Sequence, residues 1–138
     1  MLTAACSSTM KRTSMELGGN APFIIFADAN LDAALDGLMA SKFRNSGQTC
    51  VCANRVLIAE EITDQFTQML VDRLSKSVSG NGLSQGTPIG PLIQKNAVAK
   101  VQGLVAKAIE QGATPVNPPH ETPSTGNFVP PLILKDVT

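Results

Sequence analysis

Phe23-Ile24-Ile25-Phe26-Ala27-Asp28-Ala29-Asn30-Leu31 is the stretch that decides the fold. Four apolar residues in a row, without alternation, read as a short strand buried on both faces. Asp28 and Asn30 then supply N-cap chemistry for a helix. Leu31, Ala34, Leu35, Leu38, Met39 and Phe43 follow at helical spacing, which gives that helix one apolar face. It should close near Asn45-Ser46-Gly47, because Asn and Gly tolerate the left-handed conformation that ends helices.

Working outward, Arg55-Val56-Leu57-Ile58-Ala59 reads as a second strand. Thr63 is placed to cap a second helix that buries Phe66, Met69, Leu70 and Leu74. Gly80-Asn81-Gly82 and Gly86-Thr87-Pro88 mark a loop. A third helix spans about Gln94 to Glu110, with Val98, Val101, Val105, Ala108 and Ile109 toward the core and Gly112 behind it. Pro115, Pro118, Pro119 and Pro123 make the stretch up to Gly126 an irregular surface excursion. Phe128 to Leu134 reads as a closing strand, and Pro130 and Pro131 put it at an edge. Residues 1–15 read as the end of an element. Strand, helix, strand, helix in that order implies a parallel α/β layer.

The bulk numbers fit one modest core in 138 residues, and 43% hydrophobic content excludes a disordered chain. Eleven basic residues balance eleven acidic ones with no basic run, so neither nucleic acid nor an anionic membrane is an expected partner. The longest apolar run is far short of the roughly 20 residues that span a bilayer. The start, Met1-Leu2-Thr3-Ala4-Ala5, has no basic segment ahead of a long apolar one, so no secretory signal is expected. Three cysteines, two of them one residue apart, argue against a secreted disulfide framework and for a reducing compartment.

The chemistry concentrates in Phe43-Arg44-Asn45-Ser46-Gly47-Gln48-Thr49-Cys50-Val51-Cys52, with Glu16-Leu17-Gly18-Gly19 ahead of it and Cys50 lying 34 residues beyond Glu16. Most lone cysteines are core residues. Asn45, Ser46, Gln48 and Thr49 instead put Cys50 in a polar loop that should expose it. A thiolate is a strong nucleophile toward a carbonyl carbon, and a carboxylate such as Glu16 can draw a proton from the water that later cleaves a thioester. Cys50 follows a helix C-terminus, whose partial charge is negative, so activation falls to a positive group elsewhere, either Arg44 or a bound cationic ring. Arg44 is by default a solvated helix-end cation, yet its place in the loop suits a two-bond clamp on a carboxylate. Lys42 reads as a solvated neighbour. Cys52 is open to three readings. Metal binding lacks further ligands, since His120 is isolated in the proline-rich loop, and no metal is expected. Redox pairing with Cys50 spans about 6.7 Å between Cα atoms in an extended strand, at the edge of bridging range. A strand-start core residue is the third. Cys6 reads as structural. Sites in parallel sheets form outside the carboxyl ends of strands, whereas Glu16 and Cys50 both precede strands. That conflict suggests a site shared with another domain.

Taken together, Glu16-Leu17-Gly18-Gly19 and Gly47-Gln48-Thr49-Cys50 resemble the glutamate and cysteine motifs of the NAD(P)-dependent aldehyde dehydrogenase superfamily. The stretch Gly86-Thr87-Pro88-Ile89-Gly90-Pro91-Leu92-Ile93 is similar to a further part of it. The likeness covers essentially the whole chain and is nearest to the succinate-semialdehyde dehydrogenases. The resemblance implies a fold class: a parallel-sheet layer of that family's catalytic α/β domain, truncated. It implies roles as well. Cys50 attacks an aldehyde, hydride passes to NAD or NADP, Glu16 activates the hydrolytic water, the Leu17 backbone lies near the nicotinamide, and Arg44 binds the substrate's distal carboxylate. In some members a cysteine placed like Cys52 forms a reversible disulfide with the nucleophile.

On this reading residues 1–16 end a cofactor-binding domain and residues 17–138 begin the catalytic domain. The remainder of the enzyme is the missing partner, with a homo-oligomer when full-length. The location is cytoplasmic, or mitochondrial in a eukaryote. The substrate is a small semialdehyde, succinate semialdehyde first and glutarate semialdehyde as the alternative. The 138-residue chain alone should be inactive, with exposed apolar patches and a tendency to self-associate. A non-catalytic thiol-redox or structural fragment is the competing class.

Overall fold

The computed structural model describes residues 1–137. A short helix, α1 (Leu2–Ser7), buries none of its residues. Strand β1 (Ala21–Ile25) leads through a turn into α2 (Leu31–Lys42), which Asn30 starts by accepting a hydrogen bond from the Ala33 amide at 3.1 Å. Strand β2 (Ala53–Ile58) lies parallel to β1, pairing Phe23 with Val56 and Ile25 with Ile58, with an irregularity between Ala21 and Pro22. The proline lacks the amide that an unbroken ladder needs. Helix α3 (Thr63–Ser75) returns across the same side.

One apolar cluster results: Ile25 from β1, Leu35 and Leu38 from α2, and Phe66, Leu70 and Leu74 from α3. Burying each of its large side chains contributes about 1.5–3 kcal/mol. The spacing argument for α2 and α3 therefore holds, as does the parallel α/β layer.

Four local expectations need correction. The first strand is covered on one face only: Ile24 is 55% and Phe26 69% exposed, because α2 and α3 both pack on the side that Ile25 faces. Thr63 does not cap α3. A 3-10 turn over Glu60–Ile62 runs straight into that helix, so Thr63 already has helical geometry and its hydroxyl donates to the Ala59 carbonyl at 3.0 Å. Helix α4 (Lys95–Glu110) presents Val98, Val101, Val105 and Ala108 as its least exposed residues, yet buries none of them, and Ile109 is exposed. The periodicity marked its apolar side without supplying anything to cover it. The closing strand shrinks to β4 (Leu134–Lys135), antiparallel to β3 (Thr114–Pro115), since Pro130 and Pro131 cannot donate to a ladder.

The remaining punctuation behaves as its residues dictate. Gly112 takes a φ of +106° behind α4 while the Ala113 amide reaches back to the Ala108 carbonyl at 2.9 Å, a closure that requires the left-handed residue. Asn81 organises the glycine loop by accepting from the Leu83 amide at 3.0 Å. His120 lies half-buried, its Nε2 donating to the Leu74 carbonyl at the end of α3 (3.0 Å). No helix among the described residues is long and apolar enough to cross a membrane.

Candidate functional site

Parallel pairing places the two strand starts side by side, with Ala21 opposite Ala53. The segments entering those strands, 16–20 and 48–52, must then meet at the amino end of the pair. Gly19 is where they touch: a Cβ built there would sit 2.6 Å from the Cys50 carbonyl oxygen. Only glycine lets the two backbones approach this closely. Asn54 reinforces the contact, its Nδ2 donating to the Gly19 carbonyl at 3.4 Å while its Oδ1 accepts from Lys42 Nζ at 3.4 Å. Lys42, expected as a solvated neighbour, is half-buried and held by this bond. The glutamate and cysteine segments are thus joined within this layer through Gly19, at the amino ends of the strands.

The turn carrying the cysteine is unusual in its backbone. Asn45, Ser46 and Gly47 take φ values of +50°, +56° and +77° in succession. The chain leaves α2 as expected near Asn45-Ser46-Gly47, but two of these left-handed residues carry a side chain, at a cost of roughly 1–2 kcal/mol each. Side-chain bonds across the fold brace the turn. Ser46 Oγ donates to the Gly90 carbonyl at 3.0 Å, and Gln48 Oε1 accepts from the Ile93 amide at 2.9 Å. Gln48 Nε2 donates to the carbonyls of Pro91 and Asn45, each at 3.3 Å.

After the turn, Cys50 is exposed and Cys52 is buried, at 3% exposure. The Cys52 thiol donates to the Lys42 carbonyl at 3.7 Å and lies 2.7 Å from Thr49 Oγ1. All three cysteines are free thiols. Glu16 and Arg44 are both exposed and form no ion pair among the described residues. Arg44 borders an open recess of about 470 Å³ together with Met39, Phe43, Asn45, Pro88 and Ile89. Leu17 is 73% exposed, and nothing lies within 4 Å of where a Cβ on Gly18 would point. No group of three His, Cys, Asp or Glu side chains among the described residues could hold a metal ion.

Sequence reasoning singled out Cys50, Glu16, Leu17, Arg44 and Cys52, and the adjacent Gly18 and Gly19 read as a place where the backbone can approach another segment closely. It took Gln48 only as one residue of a polar run and passed over Asn54.

An exposed thiol and an exposed carboxylate thus lie on two abutting strand-entry segments of an α/β layer. The family model described as "Aldehyde dehydrogenase family" matches residues 1–138, and the chain belongs to that family. It is 50% identical over 136 residues to the succinate-semialdehyde dehydrogenase [NADP(+)] of Escherichia coli, covering 99% of this chain and 28% of that one. The 3-sulfolactaldehyde dehydrogenase of Pseudomonas putida is 46% identical over 138 residues, with 100% and 28% covered. A crystal structure of an NADP-dependent enzyme from E. coli superposes with a TM-score of 0.90 at 50% identity, over 99% of this chain and 28% of that chain. An aldehyde dehydrogenase from Brucella melitensis biovar abortus gives 0.89 at 47% identity, with the same coverage. The chain therefore spans about 28% of the length of these relatives.

Proposed function

We propose that this chain is the cysteine-bearing segment of an NAD(P)-dependent semialdehyde dehydrogenase, with residues 1–16 closing a cofactor-binding domain and residues 17–138 opening the catalytic one. The observation that carries this reading is the abutment of Gly19 on Cys50, which ties the carboxylate segment to the thiol loop. Cys50 Sγ adds to the aldehyde carbon and the carbonyl oxygen takes up the resulting charge. NAD(P), when bound, would supply a hydride acceptor for that carbon, and Cys50 would then hold the acyl group in thioester linkage. Glu16 takes a proton from water, the hydroxide adds to the thioester, and the thiolate leaves as the acid departs. The exposed backbone at Leu17 and Gly18 would be the part of this chain that contacts the nicotinamide. No step depends on other contacts to the cofactor.

Arg44 pairs with the distal anion of the substrate. Relatives named for succinate semialdehyde, glutarate semialdehyde and sulfolactaldehyde support this, since each of those aldehydes carries a carboxylate or sulfonate at its far end. Succinate semialdehyde is the first choice and glutarate semialdehyde the second. The complete enzyme is a homo-oligomer in the cytoplasm, or in mitochondria in a eukaryote, and the 138-residue chain alone is inactive.

The test is NAD(P)H formation by the full-length enzyme with succinate semialdehyde, glutarate semialdehyde and an uncharged aldehyde. Cys50→Ser abolishes it. Glu16→Gln keeps a single-turnover burst and loses the steady state. Arg44→Ala loses about 1.5–3 kcal/mol of preference for the anionic aldehydes, the worth of a charged hydrogen bond. A wild-type enzyme that oxidises none of the three, or an Arg44→Ala variant with unchanged preference, overturns the corresponding assignment.

A further inference from the structure

The carboxamide of Gln48 does what a peptide group does. It accepts from the Ile93 amide at 2.9 Å and donates to the Pro91 carbonyl at 3.3 Å. Those are the two groups flanking Leu92 that a neighbouring strand residue uses in a parallel ladder. The Leu92 amide itself is taken on its other side by the Asn127 carbonyl at 2.8 Å. Segment 90–93 is thereby gripped between a side chain of the cysteine turn and a backbone group of the proline-rich excursion. Only a primary amide supplies both donor and acceptor in this spacing, and asparagine is one methylene too short to reach from the same backbone.

The grip bears on the most strained part of the chain. Asn45 and Ser46 hold left-handed backbone without being glycine, and such residues persist where surrounding contacts leave them no alternative. Here the contacts are few and nameable: Ser46 Oγ on the Gly90 carbonyl, the Gln48 carboxamide on Pro91 and Ile93, and a local pair in which Asn45 Nδ2 donates to the Gln48 carbonyl (3.3 Å) while Gln48 Nε2 donates to the Asn45 carbonyl. Cys50 is two residues past Gln48, and it is exposed. The placement of the sulfur therefore falls to the backbone that Gln48 anchors.

We propose that Gln48 is a positioning residue for the nucleophile: by pairing with Pro91 and Ile93 it locks the left-handed turn 45–47 and sets where the Cys50 sulfur stands. The role rests on the thiol chemistry proposed above. It assigns a purpose to segment 86–93, which becomes the anvil against which the cysteine turn is braced. Gln48 touches neither substrate nor cofactor, and acts through Cys50.

The test compares Gln48→Glu and Gln48→Leu with wild type in the full-length enzyme. Glutamate keeps the shape and the acceptor for Ile93 but sets a carboxylate oxygen against the Pro91 and Asn45 carbonyls. Leucine removes all three bonds. A displaced sulfur lowers kcat, counted per titratable thiol, by about 10- to 100-fold. KM changes by a smaller factor than kcat, because Gln48 makes no bond to Arg44. Amide exchange at Ile93 quickens at least about tenfold in Gln48→Leu, as expected when a single bond shielding an amide is lost, and stays near wild type in Gln48→Glu, which keeps the acceptor. A role in stability alone would lower the melting temperature while leaving kcat per titrated thiol at its wild-type value, and that result overturns the proposal. Unchanged Ile93 exchange in Gln48→Leu overturns it too, by showing that the bond is not made. Should the wild-type enzyme oxidise no aldehyde, the functional reading fails separately, and exchange at Ile93 and across residues 45–50 still decides whether Gln48 holds the turn.

Discussion

Replacing Gly19 by alanine separates geometry from stability. The new Cβ would lie 2.6 Å from the Cys50 carbonyl oxygen, while ordinary contact begins at 3.4 Å, so the glutamate and cysteine segments must part by about 0.8 Å. Neither atom is the end of a flexible side chain, so the movement is one of backbone. The stability cost of that movement is nevertheless small. Residues 16–20 are exposed, and the one side chain that bonds the Gly19 carbonyl, Asn54, does so at a long 3.4 Å. Overpacking usually costs about 1–3 kcal/mol, and glycine-to-alanine replacement returns about 0.4–1 kcal/mol by restricting the unfolded chain. A slack segment keeps the net change near or below about 1 kcal/mol. Catalysis is far less tolerant, because a misplacement of about 1 Å in a reacting group can lower a rate about 100-fold. The deficit should fall on water activation by Glu16 and spare acyl formation at Cys50. Stopped-flow NAD(P)H traces of the full-length Gly19→Ala enzyme would then show a near-normal burst followed by a steady state slowed about 10- to 100-fold. Gly103→Ala is the control, since it lies in α4, away from the site, and nothing lies within 4 Å of its Cβ position; it should lose no more than about twofold. A Gly19→Ala enzyme with wild-type steady-state turnover and an unaltered melting temperature would refute the claim that this contact sets the spacing.

Three further outcomes follow from the same geometry. Iodoacetamide should modify Cys50 at once and Cys52 only on unfolding, because one thiol is exposed and the other is 3% exposed and hydrogen-bonded; peptide mass mapping that finds equal rates contradicts that placement. Asn30→Ala should destabilise the fold by about 1 kcal/mol by stripping α2 of its cap, measured as a shift in denaturant midpoint at constant slope. The Asp64–Lys135 pair (2.7 Å) responds to pH in a fixed direction. The hydrogen bond from Lys135, then its charge, lowers the Asp64 carboxyl below its ordinary value, so the pair's contribution is present above the normal carboxylate range and disappears as pH falls through the lowered value. The Asp64 bond likewise raises Lys135, and at the alkaline end the contribution is lost as pH rises through that raised value. Asp64→Asn should remove the salt-sensitive part of this acid response, and an unchanged response to salt counts against it.

The readable parts of this chain were those governed by neighbours in sequence. Asn30 caps the helix it precedes, and Leu35, Leu38, Phe66, Leu70 and Leu74 turn inward because helical spacing leaves them on one side. Asn45 to Gly47 end α2 in left-handed backbone because the residue types permit it. Expectations failed where another element had to supply the answer. Thr63 looks like a cap until the turn at Glu60–Ile62 absorbs the helix start. The apolar stripe of α4 is real, but periodicity says which side is apolar and nothing about what covers it. Ile24 and Phe26 read as buried for the same reason and stand exposed.

The candidate site shows this division most sharply. Cysteine, glutamate and arginine announce themselves by type and context, whereas what holds them does not. Gln48 meets Ile93 across 45 residues, and Asn54 meets Gly19 across 35. Neither pairing leaves a trace in local pattern. The usual rule places sites beyond the carboxyl ends of parallel strands, where loops leave the sheet. Here the thiol and the carboxylate sit on the segments that enter β1 and β2, so the parallel register itself, Ala21 against Ala53, brings those segments together. A one-residue slip of that register would turn the strand's buried face outward and carry Gly19 off Cys50 in the same motion. The core residue Ile25 and the Gly19 contact are consequently coupled: the register that buries one also seats the other, with Asn54 bonding the Gly19 carbonyl on top of it.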